Sequence, residues 1–534
     1  MRNGAAVVTK RGRRPPLALV VAATTVTAAA LLPLAYLVWR AVTATAEERS
    51  SVTLDATLDL VWHTGLLVVG VIVIGLLLGV PLAWLVVRTD LPFRRLVGVA
   101  VALPLVIPSY VAALALLGAF GPRGLLQQSL EPFGVERVPD IYGYEGALLA
   151  LAVSTYPYVF LLTAAALRGV DGSAEEAARS LGSRPLRVFF RITLPSLRAS
   201  LAASSLLVAL YVLADFGAVS LMQYPTLTSS VYLRYESFLD RGSAAIIALI
   251  LVAFAGVLVW LEGRVRLRGA GHRSTPGTGR RVVPQALGRW RWPAFCACAG
   301  VVGLFLVLPV GVLLWWTIDA AAADTTPSLG TAANTLLVAV VAAVVTTLAA
   351  LPVATLAWRY PRRGSAILMR LSYVPNAVPG IALALALVFF GARFGGILYQ
   401  TLGLLVLAYV LRFLPQALAP SRSALDGVSP RLEDAARGLG LGRRRTFIRV
   451  VIPVARPGIL TGTALVFLLT LKELPATLLL RPTGFETLAT EIWADTVIGD
   501  YGNAAPNALL LIAIAVPFVY LLSAKRAWEL GAAG

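Results

Sequence analysis

Two carboxylates sit where an apolar chain can least easily hold them. Asp215 and Glu473 each fall late in a long apolar run, and a shift of 258 positions places one on the other. An ionisable group at membrane depth is costly and by default marks a functional site. Such a pair offers hard oxygen donors or a charged gate. A bland reading stands beside this one: Asp215 caps a broken helix, and Glu473 pairs with Lys472 or Arg481. The two cysteines, Cys296 and Cys298, carry less. Two apart on a helix, they point to different faces, and they are expected to be small core residues rather than metal ligands.

The same 258-residue shift brings together two polar, Arg-rich islands. Residues 175–195 read EEAARSLGSRPLRVFFRITLP and residues 433–453 read EDAARGLGLGRRRTFIRVVIP. Glu176 falls on Asp434, Ala177 and Ala178 on Ala435 and Ala436, Gly182 on Gly440, and Pro195 on Pro453. Ser173 with Glu176 has the capping-box spacing, and Gly182 supplies a left-handed stop, so the first island encodes one short helix. In the second, Ser429 can cap, Pro430 suits the first helical position, and Gly440 closes it. Pro185 opens a further short helical stretch in the first copy only. Pro195 and Pro453 sit where the next long helix can start without the N–H they lack. A short rigid helix held off a membrane surface by two spans suits docking in a groove of another protein.

The elements that must position these groups are apolar runs long enough to cross a bilayer. The 534 residues are 58% hydrophobic and only 14% charged, with mean hydropathy +0.80. Runs of about 20 residues, rather than alternating segments of about ten, mean helices and not a barrel. Six spans are expected in the first half, near 17–38, 58–87, 96–120, 144–167, 195–222 and 244–260. Six more are expected near 293–318, 332–358, 366–390, 397–418, 453–480 and 504–522. The net charge of +19 gathers in alternate loops, as orientation by the cytoplasmic face demands. It therefore implies no nucleic-acid partner but contact with membrane lipid, and both termini are expected inside. The Arg-, Gly- and Pro-rich stretch 263–292 reads as a linker between a first domain, 1–262, and a second, 293–534.

The repeat extends beyond the islands. A shift of 271 places Thr64 on Thr335, Pro81 on Pro352, Pro104 on Pro375 and Pro108 on Pro379, whereas 258 places Pro157 on Pro415. The difference locates an excess of 13 residues in the first half, expected in the loop around Glu131 to Gly143. The proline pairs predict a break in the third span of each half. The chain is thus expected to be all-α and polytopic, with about 12 spans arranged as two parallel six-helix repeats.

The order Glu176-Ala177-Ala178, three residues, Gly182, nine residues, Ile192, one residue, Leu194-Pro195 resembles the coupling-loop signature of permease subunits of binding-protein-dependent ABC importers. The second copy departs conservatively, with Asp434, Val450 and Ile452. The resemblance covers essentially the whole chain as two fused permease domains and implies a type I importer fold in the cytoplasmic (inner) membrane. It implies that Glu176, Ala177, Ala178 and Gly182, with Asp434, Ala435, Ala436 and Gly440, couple to two separate ATPase subunits. It also implies an external solute-binding protein. No phosphate-binding G-x-x-x-x-G-K-[ST] loop occurs, so ATP and Mg belong to the partner, the chain binds no cofactor, and it is a transport subunit rather than an enzyme. The stretches Lys472–Pro482, Gly484–Ala489 and Ala214–Gly217 resemble iron(III) permeases in particular, and Asp215 and Glu473 would then guide or gate Fe3+, which favours oxygen ligands. Thiamine, polyamine and phosphonate permeases share the layout. Composition alone also fits an ion-coupled secondary transporter or a channel-like protein, neither of which needs a docking site for an ATPase.

Overall fold

The computed structural model describes residues 15–122, 124–133, 139–169, 173–236, 240–269, 284–321 and 328–529. The basic N-terminal tail, most of the linker and part of the loop around Glu131 to Gly143 lie outside them. Among the described residues the regular elements are all helical, apart from one isolated bridge between Thr89 and Gln285. Among the described residues ten helices are long and apolar enough to cross a membrane, or up to twelve if each of two bent pairs is one span.

Sequence dictates which helix faces what. Leu54–Arg88 exposes Leu58, Trp62, Leu66, Val69, Val73 and Leu77, a stripe at helical spacing that in a membrane meets acyl chains. Its opposite face packs along Tyr144–Gly169. The backbones approach closely because Gly79 has no side chain: a Cβ there would stand 2.8 Å from the Phe160 nitrogen. With 35 residues the helix is about 52 Å long, well beyond the ~30 Å of hydrocarbon. Its last residue, Arg88, is buried.

By contacts the chain divides into two compact units. The larger comprises Leu34–Val338, Ala377–Leu405 and Leu471–Gly534. At its centre lie Ser109–Phe120, buried from Ser109 to Ala119, and Gly380–Phe394, buried from Gly380 to Phe389. Helices apolar on every side belong in an interior. The smaller unit comprises Met1–Pro33, Ala339–Asn376 and Val406–Thr470. It is tied internally by a Thr27–Ser372 hydroxyl pair at 2.9 Å and a Thr347–Thr463 pair at 2.9 Å.

The proline breaks fall where the sequence predicts. In the first half Arg94–Ala102 passes into a 3-10 turn, Leu103–Val106, and Pro108 is extended before the buried helix begins. In the second half Val374–Ala377 and Pro379 repeat this course. Carbonyls near the first break find side-chain donors: Tyr156 OH reaches Val101 O at 2.9 Å and Ser154 Oγ reaches Ile107 O at 3.1 Å. The segment between flanking helices is residues 121–143 in the first half and 395–401 in the second, and the longer one holds an extra helix, Leu125–Leu130.

Two expectations are corrected. The short stretch opened by Pro185 is not confined to the first copy, because Arg443–Thr446 matches Pro185–Val188. Nor do Pro195 and Pro453 start a helix. Each follows a π-helical turn, Phe189–Thr193 or Phe447–Val451, within a helical path already under way. Wide turns leave an unmatched carbonyl, which accommodates a proline lacking an N–H, and they recur at functional sites. The first path then bends by 62° at Leu197.

Candidate functional site

The first island folds as the helix Ser173–Ser180 and the second as Pro430–Gly438. Both end alike. Gly182 has φ +81° and Gly440 φ +82°, and Ser183 N bonds Ala178 O at 3.0 Å as Leu441 N bonds Ala436 O at 3.1 Å. This six-to-one closure with a left-handed glycine is the stop the sequence predicts. No atom lies within 4 Å of a Cβ built on either glycine, so bulk added there would project away from the chain. Pro430 takes the first helical position, whereas Ser429 makes no side-chain cap bond.

Within each alanine pair the first residue, Ala177 or Ala435, is exposed, while Ala178 is half-buried and Ala436 buried. Glu176 is half-buried and Asp434 exposed. Leu181 and Leu439 occupy equivalent positions just before the glycines and are 86% and 85% exposed. A matched exposed apolar side chain on each polar tip is a feature that the sequence reading passed over.

That reading also missed the acid preceding Glu176 and the one preceding Asp434. Glu175 is buried and lies 3.6 Å from Arg88, both side chains being nearly inaccessible. Thr193 Oγ1 donates to the same Glu175 oxygen at 2.9 Å. In the second copy Glu433 is buried against Arg359, and Arg437, one turn on, reaches it at 3.2 Å. The signal was present: Arg88 and Arg359 differ by 271 positions, and Glu175 and Glu433 by 258.

The buried acids Asp215 and Glu473 take equivalent places. Each stands just before a short helix, Gly217–Leu221 or Pro475–Leu480. Asp215 Oδ1 accepts from Ala218 N at 3.0 Å, and Glu473 Oε1 accepts from Ala476 N at 3.2 Å. Ser109 Oγ donates to the other oxygen of Asp215. Capping, raised for Asp215, thus holds for both acids. The pairing partners considered for Glu473 point elsewhere: Lys472 Nζ donates to Leu105 O at 3.2 Å, at the broken third span, and Arg481 pairs with Glu486. The start of the first short helix packs against the residue that precedes the second and against the buried helix Ser109–Phe120, since a Cβ on Gly217 would stand 3.1 Å from Leu474 Cδ2 and 2.7 Å from Tyr110 Cβ. Phe216 stacks obliquely on Trp493 at 4.9 Å. Among the described residues no cluster of three metal-ligating side chains occurs. Cys298 is buried and Cys296 exposed, both as free thiols.

Comparison with known proteins places this geometry. The model of the family described as binding-protein-dependent transport system inner membrane component matches residues 72–268 and again 347–526. The Fe(3+)-transport system permease protein FbpB 2 of Haemophilus influenzae is 31% identical over 520 residues, covering 96% of this chain and 98% of that protein. The ferric transport system permease protein FbpB of Actinobacillus pleuropneumoniae is 24% identical, covering 78% of this chain and 64% of its own. The molybdenum transport system permease protein ModB of Escherichia coli is 33% identical over 184 residues, 33% of this chain and 79% of its own. With the family model matched twice over most of its length and a full-length relative above 30% identity, this chain belongs to the binding-protein-dependent inner-membrane permeases of ABC transporters, two domain copies in one polypeptide.

Proposed function

We propose that the chain forms the membrane pathway of an importer for ferric iron, organised as domains 1–262 and 293–534 around the linker 263–292. Both termini are cytoplasmic. Two ATPase subunits dock on Ser173–Ser180 and Pro430–Gly438, through Glu176, Ala177, Ala178 and Gly182 and through Asp434, Ala435, Ala436 and Gly440. An external binding protein delivers the solute, closure of the ATPases on ATP drives the two helices, and the path opens in alternation. ATP and Mg remain with the partner. The observation that carries this reading is the matched pair of island helices, with the same glycine stop and the same exposed leucine. Iron is favoured by the names of two relatives that each cover more than three quarters of the chain.

Asp215 and Glu473 are proposed to border the translocation path, fixing the two short helices that follow them. Asparagine and aspartate cap equally well, and alanine does not. Asp215→Asn therefore keeps the cap and removes the charge, while Asp215→Ala removes both. If the charge guides the ion, Asp215→Asn combined with Glu473→Gln lowers iron uptake at least tenfold. Unchanged uptake and unchanged iron-stimulated ATP hydrolysis would reduce both acids to caps.

The decisive experiment is transport in reconstituted vesicles with the cognate ATPase and binding protein, comparing ferric iron with molybdate, thiamine, polyamine and phosphonate. Iron-dependent ATP hydrolysis is expected. Accumulation of another solute alone would overturn the substrate, and accumulation without the ATPase would overturn the docking model.

A further inference from the structure

We propose that the ion pairs Arg88–Glu175, buried on both sides, and Arg359–Glu433, buried at the acid, are the links that deliver displacement of each docking helix to the second span of its half. This rests on the docking reading above and adds the route by which the motion leaves the helix.

The covalent chain connects each docking helix only to its neighbours in sequence. Ser173–Ser180 follows Tyr144–Gly169 and precedes the path that starts at Pro185. The second span, Leu54–Arg88, is not among these neighbours, yet its final residue is Arg88, whose side chain is 4% exposed and faces Glu175 at 3%. In the other half Leu329–Arg359 ends on Arg359, which meets Glu433, 6% exposed. Separating Arg88 from Glu175 would pull apart two charges in a low-dielectric interior, where an ill-paired charge is far more costly than a paired one; in the second half the penalty is smaller, because Arg359 is 25% exposed and Arg437 also reaches Glu433. The two ends therefore move together, and a push on the docking helix shifts a helix of 35 or 31 residues. An arginine as last residue also suits the negative end of a helix, which holds it in place before the acid arrives.

Repetition argues against accident. The arginines are related by a shift of 271 and the acids by 258, so the pair is made in both halves although their sequence separations differ by 13. The link also reaches the entry to the fifth span in the first half, because Thr193 of the π-helical turn donates to Glu175 and Phe189 of the same turn meets Trp84 edge to face at 5.8 Å.

The test uses the full permease with its ATPase and binding protein in vesicles. Four variants are compared: Glu175→Gln, Arg88→Gln, the swap Arg88→Glu/Glu175→Arg, and the apolar pair Arg88→Met/Glu175→Leu, which keeps a packed fold if the single variants fail to assemble. Readouts are ATPase co-purified per permease, and solute moved per ATP hydrolysed. The expected result is that ATPase is retained in every assembled variant, that solute per ATP falls at least tenfold in the single variants and the apolar pair, and that the swap recovers a substantial part. Retained ATPase with wild-type solute per ATP in the apolar pair or in a single variant overturns the link while leaving docking intact. Failure of the wild-type permease to retain ATPase overturns docking and, with it, this inference.

Discussion

The two island helices, proposed above to dock ATPases, share a stop, a length class and an exposed leucine, but they are held differently. In the first, Glu175 meets Arg88 in an almost sealed environment and accepts from Thr193, so three elements converge on one carboxylate. In the second, Val451 replaces that threonine, Arg359 is 25% exposed, and the second partner, Arg437, belongs to the same helix as Glu433. The first copy is thus wired into its surroundings and the second largely into itself. A fused permease need not hold its two island helices equivalently.

The largest effect should come from breaking that difference. Glu175→Ala leaves Arg88 buried without its acid, which costs about 3–5 kcal/mol. Glu433→Ala leaves Arg359 partly solvated and should cost visibly less. Thermal unfolding of the two variants in detergent checks the order, and equal losses would remove the asymmetry. A smaller effect is expected at the outward residues. Glu176→Ala should reduce retained ATPase more than Asp434→Ala, the former being half-buried at the head of a full signature, whereas Leu181→Ala and Leu439→Ala should weaken retention alike without shifting the melting temperature. Pull-down of the ATPase with each variant measures both.

The smallest effect is electrostatic and lies away from the helices. Asp495 is pushed up to about 6 by burial and by the nearby Glu491 and Asp500. A raised carboxyl penalises the folded protein once it ionises, so the penalty is absent below the ordinary value of 3.8 and complete above about 6. Asp495→Asn should therefore gain stability over wild type as pH rises through that window and hold the gain above it. Melting curves between pH 4 and 7 provide the check, and a constant difference would contradict it.

Much of this was legible before any coordinates. Constant residue shifts exposed the two repeats, Gly182 and Gly440 announced left-handed stops, and Pro104/Pro108 with Pro375/Pro379 located the breaks, because these signals are local backbone chemistry. Glu175 and Glu433 were hidden since their arginines lie 87 and 74 positions away, and only folding shows which of two adjacent acids faces inward. Pro195 and Pro453 misled because a proline is tolerated both at a helix start and after a wide turn. For Asp215 and Glu473 residue type and spacing alone do not choose between capping and pathway, since one position can serve both.

The described end of the linker has a consequence for assembly. Gln285 N bonds Arg88 O at 2.8 Å, Asp90 N bonds Gln285 O at 3.1 Å, and Leu287 N bonds Asp90 Oδ1 at 2.8 Å. A few residues on, Phe295 meets Phe93 at 6.0 Å. The tether is thus stapled to the turn that follows Arg88, so the first helix of the second half begins its search from a fixed anchorage. Short tethers of this kind give local concentrations on the order of millimolar, far above what two separate chains diluted in a membrane would reach, and they make the partner choice of the second half a matter of chain connectivity.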